Sequence, residues 1–331
     1  MPKAQIVDVV NFMPERVVVN RDLVGDEITS VNSNPFFEGI EERRFASPDY
    51  STVDLAARAL GRLLERTGVR AESLDLLLCS CVLADELGSG TAPAIQHRVG
   101  ARNATAMNFD TGCTSYLSGL GVARAFVEAG LYERVAVVTA TNFISRLPEY
   151  QRKRQSWVLG DGASATLVAR GDSSFAGAHE RAHGEHCGIL QVAPEAVGGV
   201  RKDYWQPGCG PLGVTFSIDM LETLQHNALT LLPDAVGRAL AAAGLGPDDV
   251  SMLLTHQPSS HFIAEWRRRI GVGPPRVHDT LAKYGNLFQS SIPVTLADAL
   301  ELGKVRRGDV LALGSFSNGG DLVSALALRW V

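Results

Sequence analysis

"MNFDTGCTSYLSGLGVARAFVEAGLYERVAVVTA", Met107 to Ala140, decides the fold. A short strand-like run leads into Gly112 and a lone Cys113. An amphipathic helix pattern follows and stops at a glycine, and a second β-rich run, "RVAVVTA", comes after it. Strand, helix and strand in this order mark an α/β architecture. Outward from it, "LDLLLCSCV" and "ASATLVA" are short and almost wholly apolar, as strands buried on both faces are. "TVDLAARALGRLLERTG" carries the helical period and also ends at glycine.

The pattern then repeats. "AESLDLLLCSC" matches "GPDDVSMLLTHQ", and "GLYERVAVVTA" matches "GKVRRGDVLALGS". Overlaid, the two copies put Cys113 opposite Asn286, each at the start of a helix. His256 ends a strand equivalent to the one that carries Cys79. Ligands in such sheets gather at carboxyl ends of strands and amino ends of helices, so the duplication predicts that the three residues are neighbours. The expected halves are 1–172, with Cys113, and 173–331, with His256 and Asn286. Between them, Ala176 to Val214 contains the glycine- and proline-rich "GGVRKDYWQPGCGPLG" and is expected to be an aperiodic but ordered excursion.

With 331 residues, 45% hydrophobic and 20% charged, the chain suits a large globular enzyme. A net charge of −5 offers no general attraction to nucleic acid or membranes. Asp8, Pro14 and Glu15 interrupt what a signal peptide would need, and no apolar run reaches spanning length. Five cysteines without metal-ligand spacing read as reduced thiols in a cytoplasm, with no metal and no cofactor expected. "GDGASA", Gly160 to Ala165, fits a dinucleotide fingerprint in spelling, but a strand follows it where a helix is required.

A cysteine at a helix N-terminus feels the positive end of the helix dipole, which predicts a lowered thiol pKa. The blander reading is a small buried hydrophobe, which suits Cys79 and Cys81 inside their strand. Cys113 differs because Gly112, Thr114 and Ser115 surround it with turn chemistry. His256 alone could be a core histidine, and Asn286 alone could be a helix cap. Together the three form a Cys-His-Asn set suited to nucleophilic acyl chemistry.

"DTGCTSYLSGL", "GDGASATLV", "THQ" and "YGNLFQSSIP" occur in an order that resembles the β-ketoacyl-ACP synthase III branch of the thiolase-fold condensing enzymes. "GIEERRF" and "GSFSNGGDLVSAL" extend the resemblance to nearly the whole chain. It implies a thiolase fold of duplicated α-β-α-β-α layers. Cys113 would take an acyl group from a thioester, and His256 and Asn286 would hydrogen-bond the carbonyl of a malonyl-type thioester as carbon dioxide leaves. The N–H groups of Cys113 and Gly319 would form an oxyanion hole. The resemblance further implies a homodimer joined through "ATAMNFD". It also implies carrier-protein docking on Arg267, Arg268 and Arg269, and a wide acyl pocket where Gly88 stands.

Departures from the family pattern carry information. The positions that hold the CoA adenine and phosphates correspond to Ser33 and Phe37, which shifts the expected donor toward an acyl carrier protein or another thioester rather than acyl-CoA. Ser259 stands where the family has Asn, and the glycine triplet becomes "SNGGD", with Asn318 and Asp321. Asp321 could activate a hydroxyl or amine acceptor, giving acyl transfer without decarboxylation, or could simply cap a turn. Two further readings compete: a papain-like hydrolase, which shares the Cys, His, Asn order, and a degenerate thiolase-fold scaffold. A scaffold needs none of the three residues, and the hydrolase predicts no duplicated pattern.

Overall fold

The apolar run around Cys79 becomes the middle of a sheet. The computed structural model describes residues 2–24, 39–88 and 90–331. Its first half contains strands β1 (Ala4–Phe12), β2 (Arg16–Val19), β3 (Glu42–Phe45), β4 (Leu76–Val82), β5 (Thr105–Asn108), β6 (Arg134–Thr141) and β7 (Gly162–Arg170). The second half contains β8 (Phe175–Ala182), β9 (Leu190–Pro194), β10 (Leu212–Phe216), β11 (Met252–Thr255), β12 (Val310–Ser317) and β13 (Leu322–Arg329). One sheet runs β1-β7-β6-β4-β5, the other β11-β12-β13-β8.

The internal repeat is visible in the pairing. β4 lies parallel to β6, which lies antiparallel to β7 and through it to β1. β11 lies parallel to β12, which lies antiparallel to β13 and through it to β8. Even β5, parallel to β4, has a vestige opposite it: a single parallel bridge between Leu253 and Val277. β5 ends its sheet as an edge strand with exposed Thr105, Met107 and Asn108.

The long helices α1 (Thr52–Thr67), α2 (Thr91–Val99), α3 (Ser115–Glu128), α4 (Leu221–Ala242), α5 (Ser260–Ile270) and α6 (Ser291–Glu301) complete the layers. Tyr116, Leu117 and Leu120 of α3 and Ile292 and Leu296 of α6 share one core with residues of both sheets, so these two helices form the central layer. α1 covers the outer face of the first sheet, while α4 and α5 cover the outer face of the second. The result is the five-layered α-β-α-β-α arrangement. Leu76, Leu77 and Leu78 are buried on both faces of β4, each worth about 1.5–3 kcal/mol of transfer free energy. α1 starts at a reciprocal Ser51–Asp54 capping box and stops at Gly68 in the left-handed region. No helix among the described residues is long and apolar enough to cross a membrane.

The region 176–214 departs from expectation. Its first residues form β8, the edge of the second sheet, and β9 pairs with β10 as a hairpin. "FAGAHERA" conceals a strand because only Phe175 and Gly177 are buried, and the small and polar residues after them, at the sheet edge, give no apolar run. Only the glycine-rich stretch between β9 and β10 behaves as the excursion.

Candidate functional site

The central helices aim their amino ends at one place. Gly112–Thr114 form a single 3-10 turn that runs into α3, so Cys113 stands at the N-terminus of a buried helix. Asn286 precedes another 3-10 turn, Phe288–Ser290, which runs into α6. His256 follows β11 directly, its N–H donating to the Gly314 carbonyl at 2.9 Å. Cys113, His256, Asn286 and Gly319 line one cavity of about 360 Å³, walled by Phe262, Trp266, Phe316 and other apolar side chains.

The Asn286 amide has a determined orientation. The Phe288 N–H donates to its Oδ1 at 2.9 Å, so the oxygen is committed and the NH2 remains the donor. Its backbone is clamped as well: Asn286 N–H donates to the Val158 carbonyl at 2.6 Å, and Gly160 N–H donates to the Asn286 carbonyl at 3.1 Å. Gly285 is required there. Its φ is +69°, and a Cβ would lie 2.6 Å from the Val158 oxygen. His256 is buried, and its Nδ1 has no hydrogen-bond partner in the protein. Burial lowers its pKa from 6.5 to about 4, a hydrogen bond to the Phe288 backbone opposing weakly, so the imidazole is neutral at pH 7.

The thiol departs from the sequence expectation. Burial first, then the charges of Asp110 and Asp321, push the Cys113 pKa up to about 12, with Ser317 and the Cys113 backbone N–H working the other way. Burial thus outweighs the helix terminus, and the resting Cys113 is a protonated thiol. A thiolate–imidazolium pair of the papain kind requires the opposite shift in both groups.

The expected oxyanion hole is also altered. Cys113 N–H donates to Ser317 Oγ at 3.1 Å and is not free. Ser317 is fully buried at the end of β12 and presses against Gly112, whose φ is +57° and where a Cβ would meet Ser317 Oγ at 2.1 Å. The Ser315 hydroxyl donates to the Cys113 carbonyl at 2.7 Å. The end of β12 therefore holds the Cys113 turn from the other half of the chain.

Cys113 opens on a second chamber, about 580 Å³, which His256 and Asn286 do not line. Its walls include Asp110, Gln289, Asn318, Asp321 and Cys81. Among the described residues, three non-glycine residues have positive φ: Leu83, Phe288 and Asn318. All three line this chamber. Such conformations persist where surrounding structure enforces them and cluster at functional sites.

Other expected residues fall elsewhere. Ser33 and Phe37 lie outside the described residues. Ser259 caps α5, its Oγ accepting from Phe262 N–H at 3.3 Å. Arg267, Arg268 and Arg269 lie in the last turn of α5, away from both cavities, with Arg268 and Arg269 sharing Glu265 at 2.8 and 3.5 Å. Gly88 is exposed and lines neither cavity, so within one chain it gives no support to a wide acyl pocket. Cys79 is buried and Cys81 is 3.5 Å from it, sulfur to sulfur. Cys81 is less inert in position than its strand suggests, since it lines the second chamber.

Sequence reasoning missed Ser317, Gln289, Asp161 and Arg43. Asp161 lies in "GDGASA", which is no dinucleotide site, and is fully buried. Its two oxygens accept N–H groups of Phe143, Ile144, Ser145 and Ala46, tying the loop after β6 to β3. Arg43, from "GIEERRF", is buried and donates to the carbonyls of Ser156 and Leu159, which supports the segment that clamps Asn286. Burial lowers its pKa to about 10.

Comparisons with known proteins point to one family. Residues 107–184 match the family described as 3-oxoacyl-[acyl-carrier-protein (ACP)] synthase III, and residues 240–330 match its C-terminal part. A beta-ketoacyl-[acyl-carrier-protein] synthase III of Halalkalibacterium halodurans is 31% identical, the alignment covering 100% of this chain and 99% of that protein. The corresponding protein of Caldanaerobacter subterraneus is 30% identical over 99% of this chain and 98% of its own length. Among solved structures, the synthase III of Thermus thermophilus superposes with a TM-score of 0.84 at 29% identity, covering 99% of both chains. The priming beta-ketosynthase of the R1128 polyketide pathway shares the fold, with a TM-score of 0.87 at 23% identity over 100% of this chain and 98% of its own.

Proposed function

Since the chain belongs to the 3-oxoacyl-[acyl-carrier-protein] synthase III family of acyltransferases, we propose that it forms a carbon–carbon bond by decarboxylative condensation on Cys113. The Cys113 sulfur attacks the carbonyl of an acyl thioester, a carbon–sulfur bond forms, and the donor's thiolate leaves with the proton the thiol gives up. A malonyl-type thioester then occupies the apolar cavity. Its carboxylate departs as carbon dioxide, and the electron pair becomes an enolate whose oxygen accepts hydrogen bonds from His256 and Asn286. The enolate carbon attacks the Cys113 acyl group and releases the cysteine sulfur, which regains a proton. A carrier-protein thioester is the proposed partner, received by the basic end of α5.

The observation that carries this reading is the Asn286 amide. With its oxygen held by Phe288 N–H, it turns its NH2 outward as a donor, and the neutral His256, in the tautomer that carries its proton on the unpartnered Nδ1, supplies the second donor that an enolate needs. Charged imidazole chemistry, as in a cysteine hydrolase, has no support in a histidine held near pKa 4.

Acyl transfer to a hydroxyl or amine is the second reading. Asp321, on the wall beside Cys113 and raised in pKa by burial, favours it. The experiment is intact-protein mass spectrometry with an acyl thioester, followed by a malonyl thioester with carbon dioxide measured. Condensation predicts a Cys113 adduct that disappears as carbon dioxide and a 3-ketoacyl product appear together. An adduct discharged to an alcohol or amine, with no carbon dioxide from any malonyl donor, would establish acyl transfer instead.

A further inference from the structure

Two residues of the second chamber's walls, Gln289 and Asp321, each carry a buried acceptor atom without a hydrogen-bond partner. Gln289 is 2% exposed, and its Nε2 donates to the carbonyls of Ala140 at 3.0 Å and Ser80 at 3.3 Å. Those bonds determine which way the amide faces, and Oε1 is left buried with no hydrogen-bond partner in the protein. Asp321 Oδ2 accepts from Asn318 Nδ2 at 3.1 Å, while Oδ1 is buried and makes no hydrogen bond of sound geometry. Burial raises the Asp321 pKa, against the pull of Asn318 and nearby backbone N–H groups. Both residues line the chamber that Cys113 also lines and that His256 and Asn286 do not.

An unpaired buried acceptor costs far more than a paired one contributes, so a bound chain that brings these groups a donor gains what a plain alkyl chain cannot. A chain bearing a hydroxyl or ammonium would pair them. The acyl group on Cys113 must also leave the His256–Asn286 side free for the second thioester, which directs it into this chamber. We propose that the second chamber selects an acyl group with a hydrogen-bond donor, hydroxyl or ammonium, a few bonds from the thioester carbonyl, and that Gln289 and Asp321 read it. This rests on the acylation of Cys113 proposed above and names the substrate class of that step.

The test compares butanoyl, 3-hydroxybutanoyl and 3-aminobutanoyl thioesters of N-acetylcysteamine, with the rate of Cys113 adduct formation read by mass. The expected result is acylation about tenfold or more faster for one or both donor-bearing chains, the hydroxyl and amino arms showing which donor is read. Asp321→Leu and, separately, Gln289→Met should reduce that ratio toward one, with thermal melts confirming that each variant folds. Two variants protect the test, because Gln289 also tethers two carbonyls and its replacement could unfold the chain. Equal or faster acylation by butanoyl, or a ratio unchanged in both variants, would overturn the inference. If none of the three acylates Cys113, the acylation reading fails instead. The affinities of the same three thioesters for Cys113→Ala protein then decide the inference, a preference for butanoyl or no preference overturning it.

Discussion

On one side of Cys113 the walls include Phe262, Trp266 and Phe316, and the polar groups set among them include His256 and Asn286. On the other side the walls carry Asp110, Asp321 and Gln289, the last two with acceptors in want of donors. A single thiol faces both. The first side is assembled from elements that the internal repeat places symmetrically, the end of β11 and the starts of α3 and α6. The second draws on the "SNGGD" turn and the excursion after β8, and on Gln289, which holds in the 3-10 turn before α6 the place that Cys113 holds in the turn before α3. On the function proposed above, the shared chemistry draws on the duplicated frame, whereas selectivity also draws on the "SNGGD" turn and the excursion, where the two halves differ.

The contrast can be tested on its apolar side through His256. The unfolded chain protonates this histidine below about pH 6.5, whereas the folded chain resists until about pH 4. Between those values the unfolded state binds more protons, so stability falls as the pH drops through this window, by up to about 3 kcal/mol from this group. Urea unfolding of wild type and His256→Gln from pH 7 to pH 4 should show a shallower acid slope in the variant. Equal slopes would mean that His256 is not held neutral by burial.

A smaller effect is expected where the two sides join. Ser317 takes the Cys113 N–H and lowers a thiol pKa that burial, Asp110 and Asp321 raise. Ser317→Ala should slow acylation of Cys113 by about tenfold. It should also move the pH dependence of Cys113 alkylation by iodoacetamide further into the alkaline range. Faster alkylation in the variant at neutral pH would show that Ser317 restrains the nucleophile and does not assist it.

Much of the site is legible in the amino-acid string. Gly112-Cys113 between a strand and a helix, His256 at a strand end and Asn286 after Gly285 are local signals; the repeat brings them together, but the residue that matches Cys113 in the turn before α6 is Gln289 and not Asn286. The thiol's pKa runs against its local signal, because the helix terminus is a neighbour in sequence while burial and Asp321 come from distant chain. Ser317 lies 204 residues from Cys113, and its hydroxyl acquires meaning only when β12 meets the cysteine turn. Gln289 sits in "YGNLFQSSIP", yet nothing in the string shows that its amide nitrogen is consumed by Ser80 and Ala140 while its oxygen is not. β8 is hidden because an edge strand of small and polar residues has no continuous apolar run.

The central claim is that the apolar side stabilises an enolate, and Asn286→Ala isolates it. In the variant, the rate of Cys113 acylation and the rate of carbon dioxide release from a malonyl thioester on pre-acylated enzyme are measured side by side. The account predicts acylation within about twofold of wild type and carbon dioxide release slowed about a hundredfold or more, as loss of one such donor costs. Undiminished carbon dioxide release, or acylation slowed as much as decarboxylation, would contradict it.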